Sequence, residues 1–109
     1  PQNKVTREVY FEKGSDALSP ESEAIIQSLV KTLGARPKPI LIEGYTDSSG
    51  NPDKNLKLSQ GRIANVSTKM QLFGIKYKMI LTKSHGEFYA NEYDENGKDD
   101  RKVVITAWK

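Results

Sequence analysis

The chain has 109 residues, of which 36% are hydrophobic and 28% charged, and its formal net charge is +3. This length fits one domain, which we expect to span residues 1–109. With no cysteine and a single histidine, the composition excludes a disulfide scaffold, a cysteine nucleophile, and the thiolate and multi-histidine metal sites.

The sequence also limits the expected partners. The lysines are scattered and form no arginine-rich stripe, so nucleic acid is not expected as a partner, and no cofactor is expected either. No apolar run approaches the ~18–20 residues of a membrane span, and no signal peptide is evident. Because the first residue is Pro1 rather than Met, we expect a piece of a longer chain whose missing N-terminal region provides any membrane attachment.

A strand and a helix are predicted first. From Val5 onward apolar residues alternate with polar ones, which is typical of a half-buried strand, here ending near Glu12. Ser19 followed by Pro20 is typical of a helix start, with a hydroxyl N-cap and a proline in the first turn. Apolar residues then recur at helical spacing until Gly34 provides a stop.

A second strand and helix follow. Ile40–Tyr45 is a short apolar run between breakers and predicts a buried strand. Residues 46–55 are rich in Asp, Ser, Gly, Asn and Pro and are predicted to form a loop. The next helix is predicted to close at Gly74. Its apolar positions are Ile63, Val66, Met70 and Phe73.

Two more strands complete the predicted architecture. Residues 79–83 are predicted as a core strand, residues 84–101 as a long polar excursion with a turn at Asn96-Gly97, and Lys102–Trp108 as the closing strand. The order β-α-β-α-β-β predicts an α+β fold, an α/β sandwich in which two main helices pack on one face of a small mixed sheet. The strand-helix-strand step from Ile40 should be a parallel crossover.

Two opposite charges are predicted to meet where the second strand ends. Ligands of β-α units settle at this end of the strand, and Asp47 stands two residues after Tyr45. At ~100° per residue, Arg62 falls at the edge of the buried face of the next helix. One interpretation is a salt bridge or Asx turn that pins the loop. The other is a clamp for a zwitterion, with Asp47 holding an ammonium and Arg62 a carboxylate.

The residues around this pair form an ordered set of motifs. They are Gly44-Tyr45-Thr46-Asp47, Gly50, Asn55, Leu58, Ser59 and Arg62, with Val9-Tyr10-Phe11, Gly14-Ser15 and Pro20-Glu21 before them and Gly74-Ile75, Gly86-Glu87 and Asp100-Arg101-Lys102-Val103-Val104-Ile105 after them. In this order and at this spacing, the chain resembles the OmpA-like peptidoglycan-binding domains (OmpA-, Pal- and MotB-like) over nearly its whole length.

The resemblance implies a function and a set of site residues. The family binds the peptide stem of the bacterial cell wall at diaminopimelate, whose side chain ends in an amino acid group. Its essential aspartate and arginine fall on Asp47 and Arg62. By the same resemblance Thr46, Asn55 and Leu58 line or shape the pocket, and Gly14 lies where the first loop approaches the ligand.

The expected role is therefore non-catalytic anchoring of a parent envelope protein to peptidoglycan in the periplasm. The parent would be a barrel, a lipoprotein or a flagellar stator subunit, tethered to the outer or inner membrane, with a homodimer forming through it. Lys13-Gly14 replaces the aromatic and Asp or Asn of many members, which leaves backbone contacts from the first loop. Alternatives are a wall-acting enzyme such as an amidase, and a protein-interaction or stator-type module with weak or lost wall binding.

Two further patterns in the sequence resemble functional motifs but lack residues that those motifs require. Residues 47–53 imitate the first half of a calcium loop, but Pro52 stands at the turn glycine and Leu58 at the closing acid. His85 and Glu87 would form an acid–base pair only with a nucleophile that the sequence does not place. We therefore expect His85 to be a surface residue at a strand end.

Overall fold

The computed structural model describes residues 3–34, 37–90 and 98–109. It contains four strands and two helices in the predicted order β-α-β-α-β-β. The elements are β1 (Lys4–Tyr10), α1 (Pro20–Leu33), β2 (Ile40–Tyr45), α2 (Pro52–Leu72), β3 (Ile80–Gly86) and β4 (Lys102–Trp108), with short 3₁₀ turns at Tyr77–Met79 and Lys98–Asp100. The predicted turn at Asn96-Gly97 lies outside the described residues.

The four strands form one mixed sheet in the order β1-β4-β2-β3. β2 and β3 are parallel, which confirms the predicted crossover through α2, while β4 runs antiparallel to both β1 and β2. The predicted α+β class is confirmed. Because β2 is central, its carboxyl end lies between the ends of two neighbouring strands.

The helices cover one face of the sheet and bury its apolar side chains. Along β2, Ile40 and Ile42 are fully buried and alternate with half-buried residues that face away from the helices. At Gly44 the strand and α2 approach so closely that an added Cβ would lie 2.7 Å from the Ser59 carbonyl oxygen. Only glycine therefore fits at this position without a clash, and α2 packs directly against the end of β2.

Both helices begin with the same pair of signals. Ser19 caps α1 by accepting a hydrogen bond from the Ser22 amide at 3.1 Å, and Pro20 follows it. α2 begins at Pro52, inside the segment predicted to be a loop, because Asn51 accepts from the Asp53 amide at 2.8 Å and caps it. The predicted loop is thus shorter, and Asn55 lies in the first turn of α2.

Three boundaries also differ from the sequence prediction. β1 ends at Tyr10 rather than near Glu12. β3 begins at Ile80 rather than at residue 79, which belongs to a 3₁₀ turn, and it continues to Gly86 rather than ending at residue 83. The extension follows from the parallel pairing with β2, which runs as far as Tyr45 opposite Gly86. Among the described residues, no helix combines the length and apolarity that crossing a membrane requires.

Candidate functional site

A cavity of about 330 Å³ opens at the carboxyl end of β2, beside the start of α2. All six residues predicted as site residues line this cavity. They are Gly14, Thr46, Asp47, Asn55, Leu58 and Arg62. The structure thus brings together residues from the β1–α1 loop, the β2 end and α2.

Arg62 forms the floor of the cavity and is fully buried. Its Nε donates to the Ser15 carbonyl oxygen at 2.8 Å, Nη1 to that of Tyr45 at 3.0 Å and Nη2 to that of Glu12 at 3.2 Å. The helical projection placed Arg62 at the edge of the buried face. The side chain is more buried than this, because the β1–α1 loop and the end of β2 close over it.

The burial of Arg62 is reflected in its titration. Desolvation lowers its pKa from 12.5 to about 10, although the nearby Asp47 carboxylate favours the charged form. At neutral pH the group therefore stays a cation. Its guanidinium carbon also lies 5.0 Å from the centre of the Phe11 ring, a cation–π distance. Of the five N–H groups of an arginine, three are used in the hydrogen bonds to the backbone.

Asp47 lies at the rim of the cavity and is held in place by its neighbours. One carboxylate oxygen accepts hydrogen bonds from Ser49, from the amide at 3.1 Å and from the hydroxyl at 2.5 Å. The other oxygen lies 3.5 Å from Nη1 of Arg101. Burial acts to raise the pKa of Asp47, but the hydrogen bonds from Ser49 and the charge of Arg101 outweigh it and lower the pKa below 3.8.

Asn55 and Thr46 fix the loop that carries Asp47. The Asn55 side-chain amide donates to the carbonyl oxygen of Ser49 at 2.8 Å and to that of Asp47 at 3.4 Å. The Thr46 amide donates to Gly86 at 2.8 Å. The Thr46 hydroxyl is buried and has no hydrogen-bond partner among the described residues. A buried polar atom of this kind requires an explanation, and a bound ligand is one.

The remaining two predicted residues contribute shape. Gly14 has φ +69°, in the left-handed region, and an added Cβ there would meet nothing within 4 Å. Backbone conformation rather than space thus favours glycine, and the loop presents backbone to the cavity. Leu58 is half-buried and provides an apolar wall one helical turn before Arg62.

Two residues that contact Asp47 were missing from the predicted site. Ser49 follows Asp47 at the spacing of an Asx turn, so the sequence does contain a signal for it. Arg101 stands in the closing motif of the resemblance, but its contact with Asp47, 54 positions away, depends on the pairing of β4 with β2, in which Val103 lies opposite Gly44. Its Nε also donates to the Phe11 carbonyl oxygen at 3.1 Å.

His85 is not the surface residue that the sequence predicted. It lies near the end of β3, as predicted, but its side chain is only 9% exposed, and its Nε2 lies 2.9 Å from Oε2 of Glu43 rather than beside Glu87. Glu87 instead accepts a hydrogen bond from Asn55 at 3.2 Å. The two residues considered as an acid–base pair thus have different partners.

Comparison with known proteins gives a consistent result. The sequence model of the OmpA family matches residues 10–105. The chain is 30% identical over 102 residues to the probable lipoprotein YiaD of Escherichia coli, covering 90% of this chain and 47% of the relative. It is 31% identical over 78 residues to the peptidoglycan-associated lipoprotein of Pseudomonas putida, covering 72% and 47%. The chain thus spans about half the length of these curated relatives.

A solved structure shows the same architecture. The peptidoglycan-associated lipoprotein from Burkholderia pseudomallei superposes with a TM-score of 0.82 at 27% sequence identity. The match covers 94% of this chain and 90% of that one.

Proposed function

The chain belongs to the OmpA family, and we propose that it is a non-catalytic domain that binds peptidoglycan through the diaminopimelate of the stem peptide. In this role it anchors a parent envelope protein to the cell wall in the periplasm of a Gram-negative bacterium. The names of the relatives support the association with peptidoglycan. The position of the charges in the cavity supports the choice of ligand.

The observation that carries the proposal is one cavity lined by a cation, an anion and a threonine whose hydroxyl has no partner in the described part of the chain. Arg62 on the floor attracts a carboxylate through its charge and its remaining N–H groups. Asp47 at the rim offers a carboxylate to an ammonium. The side chain of diaminopimelate ends in both groups on one carbon, and the Thr46 hydroxyl lies in the same cavity as a further hydrogen-bonding partner.

The burial of these groups determines what the ligand must do. Because Arg62 is buried at the floor of the cavity, the ligand carboxylate has to enter the cavity to reach the guanidinium. The three bonds of Arg62 to the backbone hold the guanidinium in one orientation before any ligand arrives, so little ordering is required on binding. Modest affinity at a single site becomes effective through the density of stems in the wall.

The test compares Asp47→Asn with Asp53→Asn, an exposed acid at the start of the same helix. Asp47→Asn should weaken sedimentation with isolated peptidoglycan about tenfold or more, because a charge-assisted contact is worth ~1.5–3 kcal/mol. Asp53→Asn should sediment like the original chain. A folded Asp47→Asn variant that still sediments fully would show that the cavity is not the wall-binding site.

A second arm identifies the part of the ligand that is bound. A stem tripeptide containing diaminopimelate should bind, and the same peptide with lysine in its place should not, because lysine lacks the side-chain carboxylate that Arg62 is proposed to hold. Titration of each peptide into the 109-residue chain, followed by calorimetry, measures the difference. Equal affinity for the two peptides would contradict the role of Arg62.

A further inference from the structure

A second cavity lies on the face of the sheet that the helices leave uncovered. Its volume is about 280 Å³, slightly below the ~300–1,000 Å³ typical of pockets for drug-sized ligands, so it suits a group of about one ring. It is lined by Glu43 and Tyr45 from β2, His85 from β3, Lys102 from β4, and Tyr89 and Asp100 from the segments next to them. None of these is among the residues proposed to bind the stem peptide.

Aromatic rings form one wall of this outer-face cavity. The Tyr45 and His85 rings stack with their centres 4.7 Å apart, and Tyr89 meets His85 edge-on at 5.1 Å. Tyr89 is nevertheless 60% exposed. An exposed aromatic ring fixed on a supported cluster is a surface on which the apolar face of a ligand packs.

The polar groups of the cavity include both donors and acceptors, and its two carboxylates outnumber its one lysine. Glu43 is held by His85, and Lys102 lies 5.8 Å from the centre of the Tyr45 ring. Burial raises the pKa of Tyr45, and the charge of Glu43 adds to this, so its hydroxyl stays protonated at neutral pH. Glu43 and Asp100 place two carboxylates in the lining against the single ammonium of Lys102, which also lies 3.6 Å from Glu8, so the lining disfavours an anion and offers acceptors to hydroxyl donors. It suits a neutral ligand rich in hydroxyl groups.

The two cavities lie at the same end of the sheet, on its opposite faces. Tyr45 lines the outer-face cavity, whereas the next two residues, Thr46 and Asp47, line the first. In the same way Lys102 lines the outer-face cavity and its neighbour Arg101 contacts Asp47. A polymer with both peptide and sugar parts can therefore meet both sites around one strand end.

We propose that the outer-face cavity binds a neutral pyranose ring of the glycan strand of peptidoglycan, with the apolar face of the sugar on Tyr89 and its hydroxyls toward Glu43 and Lys102. This inference rests on the proposed wall binding and adds a second point of contact to it. A pyranose combines one apolar C–H face with hydroxyls that both donate and accept, which matches the rings and polar groups described.

The experiment uses a soluble β-1,4-linked tetramer of N-acetylglucosamine, which contains sugar and no stem peptide. It is titrated into the 109-residue chain, and amide chemical shifts are followed by NMR. Saturable shifts are expected at Tyr45, His85 and Tyr89. Tyr89→Ala should raise the dissociation constant about fivefold, the loss expected for one aromatic contact. Tyr77→Ala, which removes a tyrosine that is 73% exposed and lies before β3, is the matched control and should change nothing.

The outcomes separate this inference from the proposed function. If the stem tripeptide binds but the tetramer gives no saturable shifts, the sugar site is wrong and stem binding stands. If the tetramer binds but the tripeptide does not, only the proposed stem-peptide site is wrong, and the sugar site stands. Equal affinity of Tyr89→Ala and the original chain for the tetramer, or binding of a cationic peptide at Tyr89 instead of the sugar, would overturn the sugar site.

Discussion

Replacing Arg62 with lysine tests whether the buried guanidinium holds the cavity together. The planar fork of Arg62 reaches three carbonyl oxygens, those of Glu12, Ser15 and Tyr45, from three different nitrogens. A lysine keeps the charge but concentrates its donors on one atom at the end of a flexible chain. It cannot reach three carbonyls that surround a planar group, so we expect at least two of these hydrogen bonds to be lost.

The size of the effect follows from those contacts. A hydrogen bond from a charged donor contributes ~1.5–3 kcal/mol, so the loss of two predicts a fall in the free energy of unfolding of about 3 kcal/mol or more. For a small domain with a urea m-value of ~1.5 kcal/mol/M, this lowers the urea midpoint by about 2 M. Urea unfolding followed by circular dichroism measures the shift. The variant should still fold without urea, because domains of this kind have stabilities of ~5–15 kcal/mol.

Arg7→Lys is the control for this experiment. Arg7 lies in β1 and donates to the carbonyl oxygen of its own neighbour, Thr6, at 2.9 Å. We expect that substitution to change the unfolding free energy by less than about 0.5 kcal/mol. If Arg62→Lys were as stable as Arg7→Lys, the three backbone contacts would not be stabilising, and the view of Arg62 as the structural centre of the site would be wrong.

Two further predictions concern space and charge at the same strand end. Gly44→Ala should destabilise the domain by ~1–3 kcal/mol in thermal unfolding, since the new Cβ would lie 2.7 Å from the Ser59 carbonyl oxygen and 2.8 Å from Ile63 Cγ1. Adding Ile63→Ala should relieve only the side-chain part, and an unchanged melting temperature for Gly44→Ala would contradict the close approach. The lowered pKa of Asp47 contributes stability that is present above its usual value of 3.8 and lost as the pH falls through the lower native value. Asp47→Asn should therefore flatten the acid side of the stability curve below about pH 4, and an identical profile would refute the linkage.

Local signals in the sequence were sufficient for most of the fold. The Ser19-Pro20 pair predicted the start of α1 correctly, and the apolar run Ile40–Tyr45 predicted β2 with its observed bounds. The same pair of an N-cap residue and a proline, Asn51-Pro52, lies within a polar stretch that predicted a loop. The start of α2 was therefore predicted too late. β3 was ended too early because its last residues are polar, although pairing with β2 keeps them in the sheet.

The sequence predicted which residues form the site better than it predicted how they are arranged. The strand-end position of Asp47 and the helical projection of Arg62 predicted that the two charges meet, and both line one cavity. The complete burial of Arg62 depends on carbonyls that are 47 and 50 positions away, and periodicity along one helix contains no information on such contacts. The contact of Arg101 with Asp47 likewise depends on how the sheet closes.

The pairing of β1 with β4 has a mechanical consequence. The two strands are antiparallel along their whole length, from Lys4 opposite Trp108 to Tyr10 opposite Lys102, and the chain runs from Tyr10 to the loop with Gly14, which lines the cavity at the end of β2. If the cavity holds a wall fragment as proposed, a force between that fragment and the start of β1 pulls parallel to this strand. Such a load acts on all the hydrogen bonds between β1 and β4 at once rather than breaking them one after another. A short strand resists force best in this orientation.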